Sequence, residues 1–284
     1  MREFFTILTI SLCLAGAVAQ STAPVGFGLH PVLPAGALPA STHSATVASS
    51  AIEENGRFIS LREIKLEGRA TARLAGGATL RQTRAHGRAV QNRYTADGWR
   101  LWGAWQVRQP DAGPGVLVVA DYIRDSADLQ VVTANSSFFA SADVSAVSGQ
   151  AAVLVARGAG SGHLRGGLAT TTLFGDRLAT VWLLGAGWEQ PVGTRFVAET
   201  AVTAFMDDFQ GRHYDLEAAL GLRYAVAPHT TLSLTGRYYP RGIPLAGAPL
   251  GPAAAVGAFY GDSATDPLRN DAFGMVTLSA AYAF

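Results

Sequence analysis

Residues 214–239 read YDLEAALGLRYAVAPHTTLSLTGRYY. From Tyr214 onward every second residue is apolar: Tyr214, Leu216, Ala218, Leu220, Leu222, Tyr224, Val226. Between them stand Asp215, Glu217, Ala219, Gly221, Arg223 and Ala225. After a break at Pro228, Leu232, Leu234, Gly236 and Tyr238 alternate with Thr231, Ser233, Thr235 and Arg237. A period of two on both sides of a short break is the pattern of a β-hairpin. Its apolar face carries a tyrosine near each end, and its other face carries both acid and base. The run from Tyr214 to Tyr224 covers about 33 Å of strand at ~3.3 Å per residue. Tilted by about 40°, it rises about 25 Å, the height of the apolar band of a membrane barrel, which has aromatic rims and a polar interior.

The same rhythm continues along the chain. Alternating segments fall at 63–74, 78–94, 99–108, 115–124, 128–141, 145–157, 163–174, 178–189, 195–206, 214–226, 231–238 and 272–284. Glycine, proline and Asp-Gly turn signals separate most of them, with the least certain divisions between 115 and 157. No segment has a helical period. A sheet in lipid must close to pair its edges, so the expected fold is all-β: a transmembrane antiparallel β-barrel over residues 56–284. Twelve strands are expected, or ten if the 115–157 region is over-divided.

Composition agrees with this. Of 284 residues, 49% are hydrophobic and only 15% charged, against a usual ~25% charged. The formal charge is +1 and Lys65 is the sole lysine, which gives no reason to expect a nucleic-acid partner. No stretch reaches the ~18 apolar residues of a membrane helix. The N-terminus, MREFFTILTISLCLAGAVAQ, has the basic start, short apolar run and Ala17-Val18-Ala19 site of a signal peptide cut after Ala19. Cys13, the only cysteine, lies inside it, so the mature chain is expected to be cysteine-free. Residues 20–55 contain Pro24, Pro31, Pro34 and Pro39 and no acid or base before Glu53 other than two histidines. They read as a flexible leader; a segment lying across a larger structure, or a contact for a periplasmic partner, is the alternative.

The last residues, TLSAAYAF at 277–284, end in Phe284 with Tyr282 two places earlier and Ala280, Leu278 and Val276 on the same face. This resembles the terminal strand of Gram-negative outer-membrane β-barrel proteins, apart from Ser279 where a glycine is often found. The resemblance implies an outer-membrane location among lipids, and recognition of Tyr282 and Phe284 by the barrel-insertion machinery. With the N-terminus entering from the periplasm, Trp99, Trp188, Phe196, Tyr224, Tyr282 and Phe284 would form the periplasmic rim. Phe174, Met206, Tyr214 and Tyr238 would form the outer rim, and the stretch 240–270 would be an extracellular loop.

The polar faces nominate a charged lumen. Candidates are Lys65, Arg69, Arg73, Arg84, Arg88, Arg100 and Arg108, then Asp121, Glu189, Glu199, Asp215 and Glu217 beside Arg195, Arg223 and Arg237. Residues 57–108 hold eleven bases against three acids, and 109–284 ten against fifteen, which suggests a basic wall facing a more acidic one. Such groups either pair and fill a narrow interior or line a water-filled constriction that selects small solutes, or an exported polymer, by charge. A channel is the expected function, with a plugged structural or anchoring barrel as the alternative. An outer-membrane lipid hydrolase would need a serine and histidine brought together near the outer rim. Ser161 and His163 map to a periplasmic turn, and His213 has no serine close in sequence. No catalytic residue, metal site or cofactor is therefore expected.

Overall fold

The computed structural model describes residues 43–54, 57–86, 93–109, 113–132, 137–173, 176–207, 213–240 and 272–284. The proposed signal peptide, residues 20–42 of the leader, Arg88 and most of the 240–270 stretch lie outside them. The described chain forms β1 (His43–Glu54), β2 (Arg57–Arg69), β3 (Leu74–His86), β4 (Arg93–Arg108), β5 (Gly115–Val132) and β6 (Ser137–Arg157). There follow β7 (Gly160–Leu173), β8 (Asp176–Val192), β9 (Phe196–Asp207), β10 (His213–Ala227), β11 (Thr230–Tyr239) and β12 (Phe273–Ala283). Each strand pairs antiparallel with its sequence neighbours, and β12 pairs with β1, from Ser44 opposite Ala283 to Ala51 opposite Val276. The sheet is a closed barrel. Closure gives every strand two partners, which the absence of water in a bilayer demands.

At one end of the barrel, the short-turn end, the connections are 70–73, 109–114, 158–159, 193–195 and 228–229; at the other end five are equally short, from 55–56 to 208–212, and the connection from β11 to β12 is long. Gly158 (φ 61°) and Gly193 (φ 68°) supply the left-handed backbone of two of these turns. The C-terminus lies at this end too, where the Phe284 amide donates to the His43 carbonyl at 2.9 Å.

Two boundaries differ from the sequence reading. The barrel begins at His43, not at residue 56, so the end of the expected leader is a strand. Its alternation runs through Ala, Ser, Thr and Val, and the contrast between its faces is too small to stand out as a period of two. The region read as three strands between 115 and 157 is two long ones, of 18 and 21 residues. One strand gained and one lost leave the total at twelve. They also reverse the direction of β2 to β4 relative to expectation. Trp99 therefore faces outward away from the short-turn end, beside Tyr122 at 5.2 Å. Trp105, opposite Leu74, stands nearer the short-turn rim.

The alternation sets the two faces. Ile64, Leu80, Leu101, Leu164, Leu184, Leu220 and Leu234 point outward and keep half or more of their surface exposed. On a soluble protein a belt of this extent would be an aggregation hazard; around a membrane barrel it is the surface that lipid solvates. At the short-turn rim Phe196 stacks on Tyr224 at 4.7 Å and Tyr282 meets Phe284 edge-on at 4.8 Å, with Trp188 nearby on β8. Tyr238 stands on the outward face at the opposite end of β11; the side chain of Tyr214 lies outside the described residues. Toward that opposite end the outward faces of β2 to β6 turn polar. Gln82 Nε2 donates to Asp97 Oδ1 at 2.8 Å, Ser126 and Arg124 donate to Asp143 at 2.6 and 3.1 Å, and Ser141 donates to Asp128 at 2.7 Å.

Candidate functional site in the barrel lumen

Inward-facing charges fall in two groups, each spread over neighbouring strands. On β2 to β5, Lys65 pairs with Glu63 at 3.2 Å, Arg81 with Asp125 at 3.7 Å and Arg100 with Asp121 at 2.6 Å. Ser148 of β6 donates a further bond to Asp121 at 3.0 Å, and Glu67 is buried on the same face. On β7 to β11, Arg223 bridges Glu189, at 2.6 Å, and Glu199. Tyr239 donates to Glu217 Oε2 at 2.5 Å, and Arg165 Nη2 donates to Thr203 Oγ1 at 2.6 Å. Acids and bases are present in near-equal number in both groups. The expected basic wall is absent among the described residues, because Asp121 and Asp125 of β5 sit against the bases of β3 and β4 and neutralise them locally. Pairing of this kind is what buried charges require.

Glycines arrange these groups. Six of them, Gly77, Gly98, Gly167, Gly185, Gly187 and Gly221, alternate with the outward apolar positions and so face the lumen, and all but Gly167 have a side chain of a neighbouring strand lying over them. A Cβ on Gly185 would stand 2.7 Å from Arg165 Nε, and one on Gly77 would stand 2.6 Å from Trp102 Nε1. Asp125 lies over Gly98, His163 over Gly187 and Glu199 over Gly221, while Gly167 lets the backbone of Gly149 and Gln150 approach closely. The missing side chain lets Arg165 lie along the wall across β8 and reach Thr203 of β9, so it does not project into the bore. Two apolar clusters complete the lining. Trp102, Leu117, Val119 and Leu154 form one, and Ile123, Val181, Leu183 and Phe205 form the other. Most inward side chains of both kinds are buried, and Glu63, Lys65 and Glu189 keep only 14–17% of their side-chain surface exposed.

The structure places Lys65, Arg100, Glu199, Glu217 and Arg223 on this lining, together with Asp121, Glu189 and Arg237. Arg69 is on the same face, half-buried at the end of β2. Arg73 is exposed in the 70–73 turn and Arg195 in the 193–195 turn, and Arg108 is exposed at the end of β4, over Gly113. Arg84 is a correction: it is exposed on the outward face, because the inward residues of β3 are Ala75, Thr79, Arg81 and Thr83. The Asp215 side chain lies outside the described residues. His163 is also not in a turn; it is buried on the lumen face of β7. Sequence reasoning missed Arg81, Asp125, Gln150, Arg165 and Tyr239. The outward Leu74 and Leu80 carried the parity for Arg81, and Leu164 and Leu168 carried it for Arg165.

No protein-family model and no curated protein matches the chain. Solved structures do. The translocator domain of the autotransporter NalP from Neisseria meningitidis aligns at 16% identity and a TM-score of 0.51, over 85% of this chain and 87% of that one. The beta domain of the Bordetella autotransporter BrkA aligns at 13% identity and a TM-score of 0.55, over 86% of this chain and all of the other. The NanC porin aligns at 10% identity and a TM-score of 0.52, over 84% of this chain and all of that one. At these identities the likeness is one of fold: this chain has the architecture of outer-membrane β-barrels.

Proposed function

We propose that the barrel is a narrow passage for ions and small polar solutes across the outer membrane. The observation that carries this is the set of lumen-facing glycines beneath Trp102, Asp125, His163, Arg165 and Glu199. Side chains meant to fill a barrel would project toward its axis, whereas these are laid against its wall. A second support is the lining itself. Filling a sealed interior with ionised groups costs more than filling it with hydrocarbon, whereas a wetted passage hydrates what its wall pairing leaves open. The low exposure of the same side chains favours small cargo over bulky cargo. That low exposure is also what supports a second reading, a sealed barrel that anchors or stabilises. Among proteins of this fold the NanC structure is named a porin and the NalP domain a translocator, which agrees with passage through the lumen.

Planar-bilayer recording of the refolded full chain separates the two. Discrete single-channel steps with weak ion selectivity are expected, since acids and bases balance. In Arg223→Ala, Glu189 and Glu199 lose their shared cation, and the reversal potential in a salt gradient should move toward cation selectivity. A folded barrel that never conducts would leave the sealed reading standing.

A further inference from the structure

Arg62 and Arg84 stand on the outer surface of the barrel, on β2 and β3. Gln82 is opposite Arg62, and Ser60 is opposite Arg84. The two arginines are therefore diagonal neighbours, with backbones about 7–8 Å apart. Both are exposed. Neither makes an ion pair or hydrogen bond among the described residues, whereas Arg124 of the same polar band is held by Asp143 and Gln82 by Asp97. Toward the short-turn end the same face continues with Ile64, Leu66 and Leu80, each more than half exposed, and with Leu101 across β4. Two unpaired guanidiniums thus sit where the apolar band meets the polar one.

Asp97 is a diagonal neighbour of Arg84 too, but it is hydrogen-bonded to Gln82 and not ion-paired with Arg84, and no acid neighbours Arg62 on this face. Two guanidiniums this close repel, and an anion between them relieves that repulsion. The guanidinium is the side chain best shaped to hold phosphate with paired hydrogen bonds. We infer that Arg62 and Arg84 form a binding site for the phosphate of an anionic membrane-lipid headgroup, one with no cationic group of its own to compete with the guanidiniums. The acyl chains of that lipid run along Ile64, Leu66, Leu80 and Leu101. A lipid fits better than a soluble anion or a protein because the apolar surface is continuous with the arginine pair on the side where tails would lie. The site depends on the barrel standing in lipid and is independent of whether the lumen conducts.

The test uses the full chain refolded into phosphatidylcholine vesicles doped with lipid brominated on its acyl chains. With Trp105, Trp182 and Trp188 replaced by Phe in every version compared, the otherwise unmodified chain included, Trp99, directly opposite Leu80 on the outward face, reports the lipid on this surface through quenching. Brominated phosphatidylglycerol should be preferred over brominated phosphatidylcholine, by roughly five-fold for each arginine at low salt. The variant Arg62→Gln/Arg84→Gln should lose the preference, and Arg62→Lys/Arg84→Lys should keep part of it. Inorganic phosphate added at constant ionic strength should leave the preference unchanged. Equal quenching by the two lipids in the unmodified chain would overturn the inference. So would a preference that persists in the glutamine variant, or one that free phosphate abolishes. Should the glutamine variant not fold, judged by identical gel mobility before and after boiling, the unmodified chain and the lysine variant still decide the matter.

Discussion

Arg100 and Arg124 are both paired with aspartates across adjacent strands, but their surroundings make them different experiments. Arg100 and Asp121 are buried on the lumen wall, with side chains 10% and 2% exposed, while Arg124 and Asp143 are half exposed on the outer face. Removing one partner of a buried pair leaves an uncompensated charge and costs about 3–5 kcal/mol, whereas a solvent-exposed pair contributes under about 1 kcal/mol. Arg100→Ala should accordingly lower the urea midpoint of the refolded barrel substantially, while Arg124→Ala leaves it nearly unmoved; equal effects would mean that water already screens the lumen pair. Parity made most of these residues legible. A lysine or arginine flanked on both sides by Leu or Ile, as Lys65 is by Ile64 and Leu66, has its face decided by its neighbours. Arg84 was misplaced because Ala85, Gly87 and Ala89 are too small to declare an apolar face. The role of the glycines was not legible, since what lies over Gly185 comes from β7, some twenty residues away in sequence, and from β9 beyond it.

At the level of the strand, β1 shows what hydrophobic contrast can and cannot reveal. Strands such as β10, with leucines and tyrosines against charges, announce themselves. HSATVASSAIEE does not, because its inward Ser44, Thr46, Ala48 and Ser50 differ little in polarity from the outward Ala45, Val47 and Ser49. Its identity comes from its partners: β2 along its whole length, β12 along most of it, and Ser50 hydrogen-bonded to Thr277 at 2.8 Å. Without it the chain would have eleven strands and two open edges, each exposing unpaired amides and carbonyls to hydrocarbon at several kcal/mol per group. A chain lacking residues 43–54 should fail to give the compact, detergent-resistant band that unboiled barrels show on gels. A truncation that instead folds normally would mean that β12 can pair with β2 directly. The same missed strand explains why β2 to β4 were read in the wrong direction while β7 to β12 were read correctly: the splitting of 115–157 restored the count.

For the molecule as a whole, strand direction fixes which connections share a side. Connections of two to six residues join strands at both ends of the barrel, and the long one, between β11 and β12, joins them at the end opposite the C-terminus, where the polar tops of β5 and β6, with Asp128 and Asp143, also lie. Membrane barrels keep short turns on the periplasmic side and longer loops outside. With the long connection outside, Phe196, Tyr224, Tyr282 and Phe284 would mark the periplasmic interface, and the Asp128 side would face the medium. The chain is suited to a direct check, because Cys13 is its only cysteine. A maleimide carried on a long polyethylene-glycol chain, too large for the lumen or for other outer-membrane pores, applied to intact cells should label Asp128→Cys readily. It should reach His229→Cys, in the 228–229 turn, only after the outer membrane is permeabilised. The opposite pattern would invert the barrel and move the Arg62 and Arg84 pair to the inner leaflet. Equal labelling of both sites in intact cells would remove the barrel from the membrane altogether, because in that arrangement no lipid seal separates its two ends.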